Sequence, residues 1–428
     1  MKIKNSDKLA RTELRRAALQ IAEAGLEAID TQRVIRENIR LEGEMLFVKN
    51  EQFSLQGVKR LAVAGAGKCA AEAASALEKI LGDRLSGGVI LDIGELPKLK
   101  KISCYRGTHP LPSEENMKGT AALIQFLTDL NEDDFVIFII TGGGSTLLCA
   151  PEDKGCAEEG VIVKTLTAAG ATIEELNTVR KHLSFARGGY LAQYIYPARA
   201  VSRIFSDVPH NDIEFIASGP TVKDITTVEQ AEEVLAKYHV LQTCGIERCG
   251  IIETPKEEKY FEHIKNVIIV SNQTALEAMR RQAESLGFRA KISDVSLTGE
   301  AREAGLKIAH ELHNAPSKAA LLYGGETTVT LKHEGKGGRN MELALSALRA
   351  ISPGELLITL ASDGRDNTEF AGGICDILTK EKAAHAGLDP ETYLEENRSY
   401  DFWKATGEYV LTGDTGSNVS DLVITIKE

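Results

Sequence analysis

Between residues 60 and 206 the chain alternates short, largely apolar runs with longer stretches whose apolar residues recur every three or four positions. A run that is apolar on both faces suits a parallel strand covered by helices on either side, and the longer period is that of an amphipathic helix. The pattern predicts strands over 60–64, 88–93, 135–140 and 200–206. It predicts helices from about 70 to 81, over 117–130 and over 158–169. Thr172-Ile173-Glu174-Glu175 reads as a capping box opening a further helix. Residues 104–112, CYRGTHPLP, read as a loop. Ahead of this region, 7–29 reads as one amphipathic helix with Leu14, Ala18, Ile21, Gly25 and Ala28 on its apolar stripe and a solvated face rich in Arg and Glu.

The period weakens over 241–259, which reads as a linker. Beyond it, 266–271, a helix over 274–286 and 289–293 read as a new βαβ unit. Further elements follow at 319–323 and 327–332, flanking Gly324-Gly325-Glu326, and at 340–351 (helix), 356–361 and 423–426, and Asp389-Pro390 reads as a helix start. HEGKGG, 333–338, reads as a flexible turn. Strands alternating with helices at this spacing imply an α/β protein with a doubly wound, Rossmann-like parallel sheet in the first half. The boundaries expected are 1–245 for that domain and 246–428 for a second α/β domain.

Length and charge narrow the function. A chain of 428 residues holds two or three domains. The net charge of −12 argues against binding nucleic acid or an anionic membrane. No apolar run is long enough to span a bilayer, and the first residues lack a signal-peptide core, so a cytoplasmic location is expected. The seven scattered cysteines read as reduced thiols rather than a zinc site.

The candidate chemistry collects where strands end, the carboxyl edge at which open parallel sheets bind ligands. The central strand 135–140 runs into Thr141-Gly142-Gly143-Gly144-Ser145-Thr146, a glycine turn opening a helix and a natural place for a phosphate or carboxylate. Gly65-Ala66-Gly67-Lys68-Cys69-Ala70 fits G-x-G-x-x-A, with Asp92 as a candidate ribose-binding acid. Lys68 stands at a helix start, suited to an anion. Asn177, Arg180, Lys181 and His182 form a locally basic cluster. In the second half, Gly337-Gly338 precede Arg339 and Asn340 at another helix start, a second candidate anion site. Asp207, Asn272, Glu326, Asp363 and Asp366 add polar and acidic groups after strands. Two anion sites on two domains, with carboxylates that suit Mg²⁺, suggest phosphoryl transfer in an interdomain cleft.

At these residues the chain resembles the glycerate 2-kinase family whose C-terminal region is called the MOFRL domain, here about 319–428. The matching pieces are AGAGK (64–68), GTHPLP (107–112), TGGGST (141–146), NTVRKHLS (177–184), SDV (206–208), ASGPT (217–221), GGETTV (324–329), GKGGRNMELAL (335–345), SDG (362–364) and TGSNVSDL (415–422). They are collinear over nearly the whole chain. The resemblance implies that ATP and glycerate meet between two α/β domains and that the γ-phosphoryl group passes to the 2-hydroxyl. It implies Lys68 and Arg339 as the basic groups that act on phosphate or carboxylate, and Asp207 as base or, with Asp363, metal ligand. Gly65, Gly67, Gly142, Gly143, Gly144, Ser145, Thr146, Asn177, Arg180, Lys181, Asn272, Glu326, Gly338 and Asn340 are the expected substrate and ATP contacts. ATP and Mg²⁺ are the expected cofactors, glycerate the expected partner, and a homodimer is compatible with the pattern. The competing readings are an NAD-dependent hydroxypyruvate reductase, a kinase for another small hydroxy or sugar acid, and a non-catalytic sugar-phosphate sensor.

Overall fold

The computed structural model describes residues 1–152, 156–206, 212–245 and 250–428. The chain divides into two compact units. One contains residues 34–206 and 212–269; the other contains Met1–Arg33 and Val270–Glu428.

The first unit opens with a small antiparallel sheet, β1 (Ile39–Glu42), β2 (Met45–Val48) and β3 (Glu51–Ser54), in a stretch where the pattern gave no clear element. Its main sheet comprises β4 (Arg60–Ala66), β5 (Leu85–Asp92), β6 (Ile102–Arg106), β7 (Asp134–Ile140), β8 (Arg199–Phe205) and β9 (Ile264–Val270), in the order β6-β5-β4-β7-β8-β9. The four pairings from β6 to β8 are parallel. Every residue of β7 is buried, as a central strand requires. Part of the expected loop 104–112 is the edge strand β6, whose exposed positions hid its period. Thr172 caps the helix Ile173–Lys181 through the expected reciprocal box with Glu175. That helix packs with Cys156–Ala168 and Val228–Lys237 around Leu166, Val179 and Leu235.

The second unit holds β10 (Arg289–Leu297), β11 (Ala319–Gly325), β12 (Glu355–Ala361), β13 (Gly372–Cys375), β14 (Tyr409–Val410) and β15 (Asp421–Lys427), ordered β10-β11-β15-β12-β13-β14. Only β10 and β11 pair in parallel; β15 runs antiparallel to both its neighbours. The core lies around Trp403, Phe402, Met341 and Leu345, and the indole Nε1 donates to the Met341 carbonyl at 2.9 Å.

Three expectations change. The segment 264–297 is not a βαβ unit of one sheet: β9 belongs to the first sheet and β10 to the second, with the helix Asn272–Ser285 linking them. The units therefore part at 269/270 rather than 245/246. The first 33 residues belong with the second unit, because the single helix expected over 7–29 is two, Ser6–Leu9 and Glu13–Ala28, and the second delivers a buried arginine. Arg15 donates from Nε to Asp376 at 2.7 Å and from Nη1 to Glu408 at 2.5 Å. Arg15 and Glu23 thus belong to the core, while Glu13, Arg16, Gln20 and Glu27 keep the expected solvated face. Finally, Cys149 is disulfide-bonded, whereas Cys69, Cys104, Cys244 and Cys375 are free thiols. No described helix is long and apolar enough to cross a membrane.

Candidate active site

In the first unit the glycine turn and Lys68 meet at the carboxyl ends of β4 and β7. The two strands run in register to Ala66 and Ile140. Beyond them Thr141 N donates to the Ala66 carbonyl at 3.1 Å, and Lys68 N donates to the Gly142 carbonyl at 2.9 Å. The Lys68 side chain lies along Gly143: a Cβ there would sit 2.9 Å from Lys68 Cγ and 3.4 Å from the ring of His109. Gly143, with φ +80°, ends the turn, and the helix Gly144–Leu147 begins without a side-chain cap. Thr146 is held from the other side, its carbonyl accepting from Asn116 Nδ2 at 2.9 Å.

The dinucleotide reading fails on the same residues. A Cβ at Gly65 would collide with the Ile139 carbonyl, and one at Gly67 with the Thr141 hydroxyl, so these glycines are demanded by the neighbouring strand. Asp92 is buried and accepts from Ala71 N at 2.8 Å and Ile93 N at 2.6 Å, which makes it the cap of the helix Ala70–Leu81.

The basic cluster divides. Lys181 is buried and salt-bridged to Asp224 and Glu214, each at 3.2 Å. His182 is buried against the Ile252 carbonyl at 2.7 Å. Both charges or dipoles serve the fold. Arg180 is half-buried, and burial followed by the nearby Arg187 brings its pKa down to about 10. Asn177 is buried and donates from Nδ2 to the Ile173 carbonyl at 3.0 Å, while its Oδ1 accepts from Ser218 Oγ at 2.9 Å. Ser218 in turn lies 2.9 Å from Ser145 Oγ. Ser218 was not singled out from the sequence as a site residue. Its signal is a backbone one: Ala217 and Ser218 both adopt positive φ, +52° and +58°, which is uncommon for non-glycine residues and clusters at functional sites.

The second unit carries the arginine site. Asp366 is buried at the start of the helix Arg339–Leu348, accepting from Asn340 N at 3.1 Å and Met341 N at 2.7 Å. Gly338 has no room for a side chain because Asp366 occupies it. The amides expected to grip a ligand anion are thus capped by the chain's own carboxylate. Burial, reinforced by Asp421, pushes the Asp366 carboxyl up to about 7. Arg339 donates from Nε to Asp421 Oδ2 at 2.5 Å and pairs through Nη2 with Glu326 Oε1 at 2.8 Å. Burial works against the guanidinium's charge, but Asp421 and Glu326 outweigh it and raise its pKa. Asn272 donates from Nδ2 to the Val295 carbonyl at 2.7 Å, stitching its helix to β10.

The turn 333–338 is largely exposed and held by contacts at Lys332, His333 and Lys336. Asn397 Oδ1 accepts from Lys332 N and His333 N at 2.7 and 3.2 Å, Tyr400 N donates to the Lys336 carbonyl at 3.0 Å, and the Lys336 ammonium sits 3.8 Å over the Tyr400 ring. Asp363 Oδ1 accepts from Arg365 N at 3.0 Å. Asp207 lies outside the described residues. Among the described residues no three His, Cys, Asp or Glu side chains gather as a metal cage.

A glycine turn and a lysine thus stand at the carboxyl edge of a parallel sheet in one α/β unit, and an arginine held by two carboxylates stands in the other. Residues 17–247 match the family described as "Domain of unknown function (DUF4147)" and 319–421 match the MOFRL family. A "Glycerate 2-kinase" of Pyrococcus horikoshii is 37% identical over 97% of this chain and 97% of its own. A "D-glycerate 2-kinase" of Thermotoga maritima is 37% identical over 96% and 98%. A relative from Agrobacterium vitis, 37% identical over 85% of this chain and 86% of its own, is provisionally named a hydroxypyruvate reductase. The crystal structure of a glycerate kinase from Thermotoga maritima superposes with a TM-score of 0.82 at 34% identity, covering 97% of this chain and 99% of that one. The chain belongs to the glycerate kinase family.

Proposed function

We propose that the chain is an ATP-dependent glycerate 2-kinase. The 2-hydroxyl oxygen of glycerate bonds to the γ-phosphorus of ATP as the bond to the ADP oxygen breaks. The hydroxyl proton leaves, and 2-phosphoglycerate and ADP are the products. The observation that carries this reading is Lys68 laid along the Gly142–Gly144 turn at the carboxyl edge of the sheet, in a chain whose near-full-length relatives bear glycerate 2-kinase names. An ammonium there neutralises charge on the transferred phosphoryl group, the main task of a protein in such a reaction. Arg339 is the proposed partner for the acid's carboxylate. Its planar fork, fixed by Asp421 and Glu326, is already oriented before a ligand arrives. Asp207 is the proposed base or cation ligand on the strength of the family resemblance.

Magnesium is proposed to enter on the ATP phosphates, with Asp207 and Asp363 as the carboxylates that would meet it. The reductase reading loses support because Asp92 caps a helix and the Gly65 and Gly67 positions are closed by β7. The test is to incubate the protein with Mg·ATP and a panel of small hydroxy acids and to identify the phosphorylated carbon by NMR. Phosphorylation at C2 of glycerate, lost with EDTA and restored with Mg²⁺, is the expected result. NADH oxidation with hydroxypyruvate in its place sinks the proposal.

A further inference from the structure

The Ser145–Ser218–Asn177 chain can be followed proton by proton. The Ile173 carbonyl is an obligate acceptor, so the Asn177 atom 3.0 Å from it is the amide nitrogen, and Oδ1 faces Ser218. A flipped amide would set two oxygens against each other. Oδ1 cannot donate, so the Ser218 hydroxyl spends its single proton on Asn177, at 2.9 Å. Ser218 then has only lone pairs for Ser145, also at 2.9 Å, and Ser145 must be the donor between them. The Ser145 proton is therefore committed inward, and what Ser145 Oγ has left is lone pairs.

The surroundings hold this wiring in place. Asn177 and Ser218 are buried at 3% and 0% exposure, whereas Ser145 is half-buried beside the glycine turn. Ser218 sits at φ +58° in a turn locked from behind: its carbonyl accepts from Gly188 N and the Gly219 carbonyl from Gly189 N, both at 2.9 Å. A Cβ at Gly144 would come within 2.6 Å of the Ala217 methyl, so the turn abuts the start of the Ser145 helix directly. Two successive non-glycine residues in the left-handed region are strained, and such strain clusters at ligand-binding and catalytic sites.

We propose that Ser145 is a specificity-determining residue that accepts a hydrogen bond from a ligand hydroxyl, with Ser218 and Asn177 as positioning residues that set its polarity. This rests on the kinase reading and deepens it. A serine in a phosphate-binding turn normally donates to phosphate oxygen; this one is wired to receive. Phosphate and carboxylate oxygens offer it nothing, while an alcohol does. The alcohol belongs either to the acid substrate or to the ribose of the nucleotide.

Calorimetric binding distinguishes these sources without requiring turnover. Glycerate is compared with lactate, which lacks the 3-hydroxyl, and with 3-hydroxypropanoate, which lacks the 2-hydroxyl. ATP is compared with 2′,3′-dideoxy-ATP. The wild-type protein, Ser145→Ala and Ser218→Ala are titrated with each. In Ser145→Ala the preference for the hydroxyl-bearing member of one pair is expected to fall about tenfold, the yield of one lost hydrogen bond to a site built for it. The pair in which it falls names the hydroxyl. Ser218→Ala frees the Ser145 proton to point outward and is expected to reduce the same preference several-fold with Ser145 still present. Unchanged preferences in all pairs for Ser145→Ala overturn the proposal, and so does Ser218→Ala matching wild type while Ser145→Ala does not. A protein that keeps the selectivity yet makes no phosphoglycerate overturns the kinase reading and leaves this one standing.

Discussion

The two glycine turns look alike in sequence and differ in what the fold supplies to them. Gly142–Gly144 and Gly337–Gly338 each precede a helix, and each has a basic residue close by. At the second turn the chain provides its own anions: Asp366 caps the helix amides, and Asp421 and Glu326 hold the guanidinium of Arg339. At the first turn the helix starts without a side-chain cap, and Lys68 lies along the backbone of Gly143. A glycine-rich helix start therefore need not bind a ligand anion: at Gly338 a carboxylate from elsewhere in the chain, Asp366, already caps the amides.

The largest expected effect comes from the first turn. Lys68→Met keeps the length and removes the charge, and kcat is expected to fall on the order of a hundredfold or more, as loss of one preorganised charge contact does. A folded variant with wild-type turnover would falsify the contrast. At the second turn Arg339→Lys keeps the charge but loses the planar fork that presents Nε to Asp421 and Nη2 to Glu326. A loss of kcat/KM for the acid of about tenfold or more is expected, with ATP affinity from calorimetry little changed. If ATP binding is abolished and acid binding spared, the two basic residues have been given each other's substrates.

Asp366 sharpens the contrast through pH. Its carboxyl titrates near 7 in the folded protein, against about 3.9 in an unfolded chain. A raised carboxyl pKa means that the folded state holds the proton more tightly. Its stabilisation is complete below about pH 4, declines as pH rises towards 7, and is flat above. Thermal melts of wild type and Asp366→Asn from pH 4 to 8 should therefore differ by an amount that changes by a few kcal/mol across that window. A constant difference removes the carboxyl from the account.

The smallest effect concerns a buried cation. Arg203, in β8, is fully buried, and none of its guanidinium nitrogens finds a partner among the described residues; burial lowers its pKa to about 9. Arg203→Met, of similar bulk, is expected to raise stability by about 1–3 kcal/mol in denaturant titrations. A loss of stability would mean that the guanidinium is paired after all.

What could be read from the chain follows from the range of the forces involved. β7 was legible because a central parallel strand buried on both faces reads as a near-continuous apolar run, and β4 and β8 because few polar residues interrupt theirs. β13 was not, since its Gly372-Gly373 pair looks like a turn until Trp403 is seen packed against Gly373. The allotment of β9 and β10 to different sheets was invisible because strand-helix-strand spacing is the same either way. Lys68, Ser145, Asn177 and Arg339 stand in motifs and were found. Ser218 and Asp421 stand in motifs too, ASGPT and TGSNVSDL, but their pairing with Ser145 and Arg339, 73 and 82 residues away along the chain, lies beyond any local pattern.

The place of β15 sets an order of assembly. It lies between β11 and β12 and pairs with both, so before residues 421–427 are synthesised the strands of the second sheet form two unjoined halves with open edges. Arg15, made almost at once, must wait for Asp376 and Glu408. The first unit needs nothing beyond β9 and can complete its main sheet while the second is still being made. Nascent chains arrested between residues 270 and 420 should therefore carry a protease-resistant first unit beside a second that chaperones and proteases still recognise as unfolded.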